Sequence, residues 1–198
     1  MTTQKIAIIG NGNVGSALAQ GALKAGYEVR STSADPQEVR SAGTWGDIII
    51  LAVPSTARQD AIKNLGDLTG KTVVDPTNLL NADWSYGGDV KKSGAEQVQE
   101  WAPAARVIKA FNTVFAQNMG AGKVGGEALS LLVAGDDADA KKQVLDLGKA
   151  LGFEPLDTGS LVNARYLEAL GFLNIQLGYG ATQYGTNIGF KVVRGGKN

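Results

Sequence analysis

The chain has 198 residues, which is enough for one compact domain with a sizeable buried core. Its 19 lysines and arginines balance 19 aspartates and glutamates, and this neutral surface disfavours a nucleic acid or an acidic membrane as the main partner. Cysteine and histidine are absent, which excludes disulfides, thiolate chemistry and histidine as an acid or base. With no leader and no run of about 18 apolar residues, we expect a cytoplasmic protein.

Short apolar runs rich in valine and isoleucine alternate with amphipathic or alanine-rich segments along the chain. This alternation is typical of an α/β domain with a doubly wound, mostly parallel sheet covered by helices on both faces. We predict strands at 6–9, 28–31, 47–53, 72–75, 107–111, 129–134 and 154–157, and helices at 14–25, 56–65, 95–101, 138–151 and 162–178. No linker interrupts the pattern, so residues 1–198 are predicted to form a single domain.

The last predicted helix carries an apolar stripe. Tyr166, Leu170, Leu173 and Leu177 recur at intervals of four, three and four residues, which places them on one side of a helix. The stripe either packs onto the sheet as part of the core or forms the face of a homodimer, and both can hold at once. The C-terminal segment 160–198 is therefore predicted to pack on its own domain or on a partner subunit.

A glycine-rich turn follows the first predicted strand and precedes the first predicted helix. In the spacing GxGxxG the first glycine permits the tight turn, the second lets a pyrophosphate approach the backbone, and the third lets helix and strand pack closely. This context predicts a Rossmann-like dinucleotide site; the alternative is a glycine-rich turn without a ligand. The predicted cofactor-binding residues here are Gly10, Asn11, Gly12, Asn13, Val14 and Gly15.

The end of the second predicted strand should decide which dinucleotide binds. An acidic residue there would accept hydrogen bonds from the ribose hydroxyls, whereas this chain has the hydroxyl residues Ser31, Thr32 and Ser33. Three hydroxyls suit a 2′-phosphate, so we predict NADP(H), with Arg30 or Arg58 adding charge if either reaches the site. Asp35 follows closely, but the Pro36 after it favours a role for Asp35 as the N-cap of a short helix.

Three more strand ends should meet the cofactor at the carboxyl edge of the sheet. The predicted contacts are Ala52, Val53 and Pro54 after the third strand, Pro76, Thr77 and Asn78 after the fourth, and Ala110, Phe111, Asn112 and Thr113 after the fifth. Asn112 can donate hydrogen bonds to a ring carbonyl or carboxamide, and Phe111, Val114 or Phe115 can supply an apolar wall. The alternative for Asn78 and Asn112 is turn formation, with side chains bonded to nearby backbone.

A proton donor for carbonyl reduction is hard to find in this sequence. Such a reaction needs a positioned acid, usually His, Lys or Tyr. Lys109 lies within a strand predicted to be buried, and Tyr86 lies in a loop, so neither is convincing. Hydride exchange between a nicotinamide and a second stacked ring requires only distance and orientation from the protein, and we predict that chemistry with no catalytic side chain and no metal.

The chain resembles a known family in several segments. These are GNGNVG at 10–15, AVP at 52–54, VIKAFNTV at 107–114, LVAGDD at 132–137, GSLVNARYLE at 159–168 and IGFKV at 188–192. Together they are similar to the NADP oxidoreductase family named for coenzyme F420, a deazaflavin. The resemblance implies a Rossmann-like domain, commonly a homodimer, that moves hydride between NADPH and a deazaflavin lying face to face.

Two positions depart from that family pattern. Members that use the deazaflavin tend to carry His where this chain has Asn112, and Arg where it has Ala34. The Phe-Asn pair at 111–112 is similar instead to the cytosolic reductase domain of six-transmembrane metalloreductases, which implies NADPH and an ordinary flavin such as FMN or FAD. For family members from organisms without the deazaflavin, the resemblance implies another acceptor, a flavin or a small quinone. Two alternatives stay open: a dehydrogenase or imine reductase of a small substrate, and a non-catalytic NADP(H)-sensing module.

Overall fold

The computed structural model describes residues 4–89, 91–180 and 184–195. The strands are β1 (Lys5–Ile9), β2 (Glu28–Thr32), β3 (Ile48–Leu51), β4 (Thr72–Asp75), β5 (Arg106–Lys109), β6 (Lys123–Val124), β7 (Glu127–Ala128), β8 (Ser130–Gly135) and β9 (Glu154–Asp157). The helices are α1 (Asn13–Lys24), α2 (Pro36–Trp45), α3 (Arg58–Leu65), α4 (Gly94–Trp101), α5 (Ala116–Met119), α6 (Ala138–Ala150) and α7 (Ala164–Tyr179).

Seven strands form one sheet in the order β2-β1-β3-β4-β5-β8-β9. All neighbouring pairs are parallel except β5 with β8, which is antiparallel. This architecture confirms the predicted Rossmann-like, mostly parallel sheet. Because β2 and β3 lie on opposite sides of β1, the strand order reverses there, and a crevice opens beyond the carboxyl ends of these strands.

The sheet separates two hydrophobic cores because side chains alternate between its faces. Ile6, Ile8 and Ile50 face the core that α1 and α6 cover. Ile9 and Ile49 face the core that α2, α3 and α4 cover. Each buried strand therefore has apolar residues at consecutive positions, which is why the runs in the sequence are continuous rather than alternating.

Side-chain caps fix where several helices begin. Asp35 accepts hydrogen bonds from the backbone N–H groups of Gln37 and Glu38, which confirms its predicted role as the N-cap of α2. At α4, Ser93 and Glu96 form a reciprocal capping box, in which each side chain accepts from the other residue's backbone N–H. Such caps satisfy N–H groups that have no partner within the helix.

The structure departs from the predicted boundaries near the site. Strand β5 ends at Lys109 rather than at residue 111, because Phe111 takes the left-handed conformation with φ of 68°. Helix α5 and the hairpin of β6 and β7, which turns at Gly125 and Gly126, were not predicted. No helix within the described residues is both long and apolar enough to span a bilayer.

The predicted apolar stripe of α7 is not the face that packs against the domain. Tyr166 is 72% exposed and Leu173 is 48% exposed, so the core interpretation is wrong for both residues, although Leu170 packs partly against β8 and β9. The buried face is instead made of Ala164, Leu167, Glu168, Gly171, Asn174 and Gly178. Its small residues allow the helix to approach the domain closely, and its polar residues Glu168 and Asn174 form hydrogen bonds with other elements. Apolarity alone therefore did not identify this face. The homodimer face stays a prediction.

Candidate functional site

The three glycines of the first turn have three different surroundings. Gly10 has a φ of 110°, and a Cβ atom there would lie 2.3 Å from the carbonyl oxygen of Ala52. A Cβ at Gly15 would lie 2.0 Å from the carbonyl oxygen of Gly10. At Gly12 no atom lies within 4 Å of the Cβ position. Gly10 and Gly15 are thus required by close backbone packing, whereas Gly12 leaves open space at the start of α1, where a pyrophosphate would lie.

A cleft of about 780 Å³ opens beyond the carboxyl ends of the strands. It has the size of a pocket for a cofactor-sized ligand. The predicted residues that line it are Gly12, Asn13, Val14, Ala52, Val53, Pro54, Pro76, Thr77, Asn78 and Asn112. The structure therefore brings the glycine turn and three separate strand ends to one cavity, as the parallel topology requires.

The remaining predicted residues lie outside this cleft. Gly10 and Gly15 are packed beneath it, and Asn11 is an exposed residue of the turn. Ser31 and Thr32 line a separate pocket of about 480 Å³ at the end of β2, with Ser33 beside it. Ala110, Phe111 and Thr113 are buried. The cofactor contacts predicted for Ala110 and Thr113 stay predictions. Such contacts would involve backbone atoms, because both side chains face the interior.

Phe111 does not supply the wall of the cleft that we predicted for it. Its side chain is fully buried and makes an edge-to-face contact with Phe153, with ring centroids 6.0 Å apart. The left-handed backbone at Phe111 turns this ring into the core and carries the next residues to the cleft. Val114 and Phe115, the other two candidates, do line it, so the apolar wall begins three residues later.

Asn78 and Asn112 form a reciprocal amide pair at the ends of β4 and β5. Asn78 Nδ2 donates to the backbone oxygen of Asn112 at 2.7 Å, and Asn112 Nδ2 donates to Asn78 Oδ1 at 3.0 Å. Asn112 Nδ2 also donates to the backbone oxygen of Leu167 in α7 at 2.7 Å. Both amide hydrogens of Asn112 are thus engaged within the protein, and its contact with a cofactor ring stays a prediction. The pair fixes the floor of the cleft.

Helix α7 closes the cleft on the side opposite the glycine turn. A Cβ atom at Gly171 would lie 2.4 Å from Asn78 Oδ1 and 2.8 Å from Asn112 Nδ2. Asn174 donates from Nδ2 to the backbone oxygen of Thr113 at 3.2 Å. The missing side chain at Gly171 is therefore what allows the helix to lie directly on the amide pair, and GSLVNARYLE at 159–168 leads into this contact.

Sequence inspection missed several residues of the cleft. Trp84, Gly171, Asn174, Ile175 and Tyr179 line it but were not predicted as site residues. Four of the five lie on α7, and the small and polar residues at 171, 174 and 178 were the signal that could have identified this face. Among the described residues that line the cleft, Tyr179 is the one titratable side chain, and it is 65% exposed at the outer end.

A buried ionic network lies behind the floor of the cleft. Lys109 is fully buried and donates to Asp75 at 3.1 Å, to Glu168 at 2.8 Å and to the backbone oxygen of Thr77 at 2.6 Å. Arg58, 2% exposed, also pairs with Asp75, at 3.3 Å from the same carboxylate oxygen, Oδ2. Two cations thus face two carboxylates, and a buried charge of either sign is stable only with such partners.

The network keeps the carboxyl group of Asp75, the last residue of β4, ionised. Burial alone would raise the pKa of this carboxyl, but Lys109, Arg58 and hydrogen bonds from Thr77 outweigh it and lower the pKa below its ordinary value. The ionised carboxylate accepts from the Thr77 backbone at 3.0 Å and from its hydroxyl at 2.6 Å. The charged network therefore holds the segment 76–78 that lines the cleft.

Arg58 lies in this network and does not reach the end of β2, so its suggested contact with a 2′-phosphate is wrong. Arg30 does line the pocket there, with its guanidinium 4.3 Å from the ring centroid of Trp45. Lys109, considered as a proton donor, is enclosed by its partners. Tyr86 packs on Phe172 with ring centroids 5.2 Å apart, and burial, followed by Glu168 and Asp89, raises the pKa of its hydroxyl.

The fold, the glycine turn and the cleft beside it define a dinucleotide-binding domain of the Rossmann type, and comparison with known proteins narrows this class. A sequence profile of the family described as NADP oxidoreductase coenzyme F420-dependent matches residues 5–44. The F420-dependent NADP reductase of Methanocaldococcus jannaschii is 32% identical over 171 residues, which cover 76% of this chain and 70% of that relative. The chain belongs to this family of NADP-dependent oxidoreductases.

Other relatives show how far the similarity extends. Metalloreductase STEAP3 of Rattus norvegicus is 30% identical over 84% of this chain, which spans only 36% of that relative's length. A crystal structure of a candidate F420-dependent NADP-reductase from Arthrobacter sp. FB24 has a TM-score of 0.85 at 27% identity, covering 96% of this chain and 99% of that one. An imine reductase from Pseudomonas sp., with a TM-score of 0.66 at 20% identity over 91% of this chain and 64% of that one, shows the fold alone.

Proposed function

We propose that this protein transfers hydride directly between NADP(H) and a second ring cofactor, a flavin or the deazaflavin F420, stacked on the nicotinamide. The observation that carries the proposal is the composition of the cleft, which is lined by apolar groups, amides and hydroxyls and, among the described residues, by no Asp, Glu, Lys or Arg. A hydride passing between two rings needs proximity and exclusion of water rather than an acid or base.

The residues present fit a bound dinucleotide. Open space at Gly12 and the N-terminal N–H groups of α1 would hold the pyrophosphate, and Pro54, Asn78 and Asn112 would surround the nicotinamide. A dinucleotide held there would supply the hydride to the acceptor ring, and solvent would supply any proton that the acceptor also needs. The amide pair, held by α7 and the ionic network, keeps the floor beneath the ring in one position.

The acceptor is proposed from two kinds of relative. The Methanocaldococcus relative is named for F420, and the STEAP relatives are named as metalloreductases. Val114 and Phe115 offer an apolar surface on which a flavin or deazaflavin can rest, and Trp84 lies at the mouth of the cleft, 66% exposed. We also propose that the protein is located in the cytoplasm.

The test is to mix the protein with NADPH and, in separate samples, with FMN, FAD, F420 or a small quinone, and to follow absorbance of the reduced nicotinamide. We expect protein-dependent loss of absorbance with at least one flavin or with F420. Flat traces with all four acceptors, despite tight NADPH binding, would favour a sensing module. Turnover of a cyclic imine in their place would favour the imine reductase alternative.

We also propose that the exposed face of α7 pairs with a second copy of the chain. On this face Tyr166 is 72% exposed and Leu173 is 48% exposed, and Val162, in the turn just before α7, is 42% exposed. Light scattering should give the mass of a homodimer, and Leu173→Lys should reduce it toward that of a monomer. A monomer mass for the unaltered protein at micromolar concentration would reject this part of the proposal.

A further inference from the structure

The pocket at the end of β2 lies where the adenosine ribose of a bound dinucleotide would lie. The backbone N–H of Gly10 donates to the carbonyl oxygen of Thr32 at 3.1 Å, so the end of β2 adjoins the glycine turn. Its lining includes Arg30, Ser31 and Glu38. In this fold the group at that strand end faces the ribose hydroxyls or the 2′-phosphate.

Glu38 occupies both donors of Ser33, one of the three residues predicted to bind a 2′-phosphate. Its Oε2 accepts from the backbone N–H of Ser33 at 3.2 Å and from the Ser33 hydroxyl at 2.9 Å. Glu38 is fixed in the first turn of α2, where its own N–H donates to Asp35. The negative group at the end of β2 is therefore supplied by the next helix rather than by the strand itself.

The charges around this pocket do not offset a second anion. Arg30 is the one cation among the described residues that line it, and its guanidinium stacks on Trp45. Arg58 is committed to Asp75 in the buried network. A 2′-phosphate carries a charge of about −2 near neutral pH. It would meet the Glu38 carboxylate directly and would have to displace it from Ser33.

We propose that Glu38 is the specificity-determining residue for the dinucleotide: it opposes the 2′-phosphate of NADPH and accepts hydrogen bonds from the ribose of NADH. The inference rests on the dinucleotide site of the proposed function. The Glu38 carboxylate weakens NADPH binding relative to what the hydroxyls of Ser31 to Ser33 would otherwise allow, and it makes NADH a competent ligand of the same site. The choice between NADPH and NADH thus depends on the balance between the repulsion by Glu38 and the hydrogen bonds offered by Ser31 to Ser33.

Glu38→Gln tests this role because it removes the charge and keeps the size of the side chain. Titration calorimetry with NADPH and NADH should show NADPH affinity raised about tenfold, since the removed repulsion acts at close range near the surface. NADH affinity should stay level or fall by up to about threefold, the loss of one charged hydrogen bond at an exposed site. Glu28→Gln, at the exposed start of β2, should leave both affinities within about twofold of the unaltered protein.

Glu38→Asp keeps the charge and should retain the original ratio of NADPH to NADH affinity within about threefold, the scale of a small change in an exposed contact. A folded Glu38→Gln protein whose ratio stays within about twofold of the original would overturn the inference, because the charge would then have no part in the choice. The proposed function fails separately: if both dinucleotides bind but no acceptor is reduced, the role of Glu38 stands and hydride transfer does not. If neither dinucleotide binds, both fail.

Discussion

The two ends of the cleft are built in different ways. At the phosphate end, the turn at 10–15 presents backbone groups and open space, and the side chains near it are small or exposed. At the ring end, the segment 76–78 and Asn112 are held by the side chains of Asp75 and the fully buried Lys109 and by the backbone oxygen of Leu167 in α7. The difference teaches that local backbone conformation is enough to build one end of the cleft, whereas the floor at the other end is fixed by long-range contacts.

Removing the central cation of the ring end should have the largest effect on the protein. Lys109→Met leaves Asp75 and Glu168 buried without their shared partner, and breaking a buried pair in this way costs about 3–5 kcal/mol of unfolding free energy. Urea unfolding monitored by circular dichroism measures the loss.

A matched control for that change is Lys142→Met, since Lys142 pairs with Asp146 on the exposed surface of α6. Because water and salt screen this exposed pair, its loss should lower stability far less than the loss of Lys109. If the two substitutions lower stability by the same amount, the buried network does not hold the ring end, and the contrast between the two ends disappears.

The phosphate end should lose binding without losing its fold. Gly12→Leu places a side chain in the open space at the start of α1, and we expect dinucleotide affinity to fall about 100-fold, which corresponds to about 2.7 kcal/mol. The cooperative unfolding transition should remain, with a cost of about 1 kcal/mol for the poorer N-cap.

Titration calorimetry with NADPH measures that affinity. Gly195→Leu serves as the control because its Cβ position is also open but lies far along the chain in the C-terminal segment. Unchanged NADPH affinity in Gly12→Leu would show that the pyrophosphate binds somewhere else.

The smallest effect should come from a surface pair that joins α4 to α7. Arg165 donates to Glu96 at 2.8 and 2.6 Å, and these hydrogen bonds lower the pKa of Glu96 from 4.5 to about 2. Because the folded pKa is depressed, the stabilisation is complete above pH 4.5 and is lost as the pH falls toward 2. Arg165→Met should therefore lower the free energy of unfolding modestly at pH 7, because solvent screens the pair, and by almost nothing near pH 2.

Unfolding free energies measured from pH 7 down to pH 3 test this dependence, and the gap between the two proteins should narrow over that interval. A gap that stays constant with pH would mean that Arg165 stabilises α7 by packing its aliphatic part rather than by its charge.

Local patterns predicted much of the phosphate end. The GxGxxG spacing located the turn, and the Asp35-Pro36 pair located the start of α2. Both predictions succeeded because the physical requirement lies within a few residues: a glycine where backbone atoms crowd, and an oxygen acceptor beside unpaired N–H groups. The order of strand ends along the cleft followed from the parallel topology in the same way.

Predictions for the ring end failed where the partner is distant in sequence. A buried strand residue such as Lys109 gives no sign of which carboxylates surround it, and Glu168 lies 59 residues away. Phe111 was assigned to the cleft because it ends an apolar run, but its left-handed backbone turned the ring into the core. The apolar stripe on α7 did not identify the face that packs against the domain, because that face consists of small residues and of polar residues whose partners are distant in sequence.

The sequence by itself determined the α/β class, the strand and helix pattern, the glycine turn and the set of strand ends that meet at the cleft, since each depends on periodicity or on contacts between near neighbours. Only the tertiary structure decided that Asn112 donates to Leu167, that Lys109 joins Asp75 to Glu168, and that Glu38 reaches Ser33 from the next helix. Side-chain pairs of this kind are fixed by distance and direction in space, and these depend on how every element packs against the others.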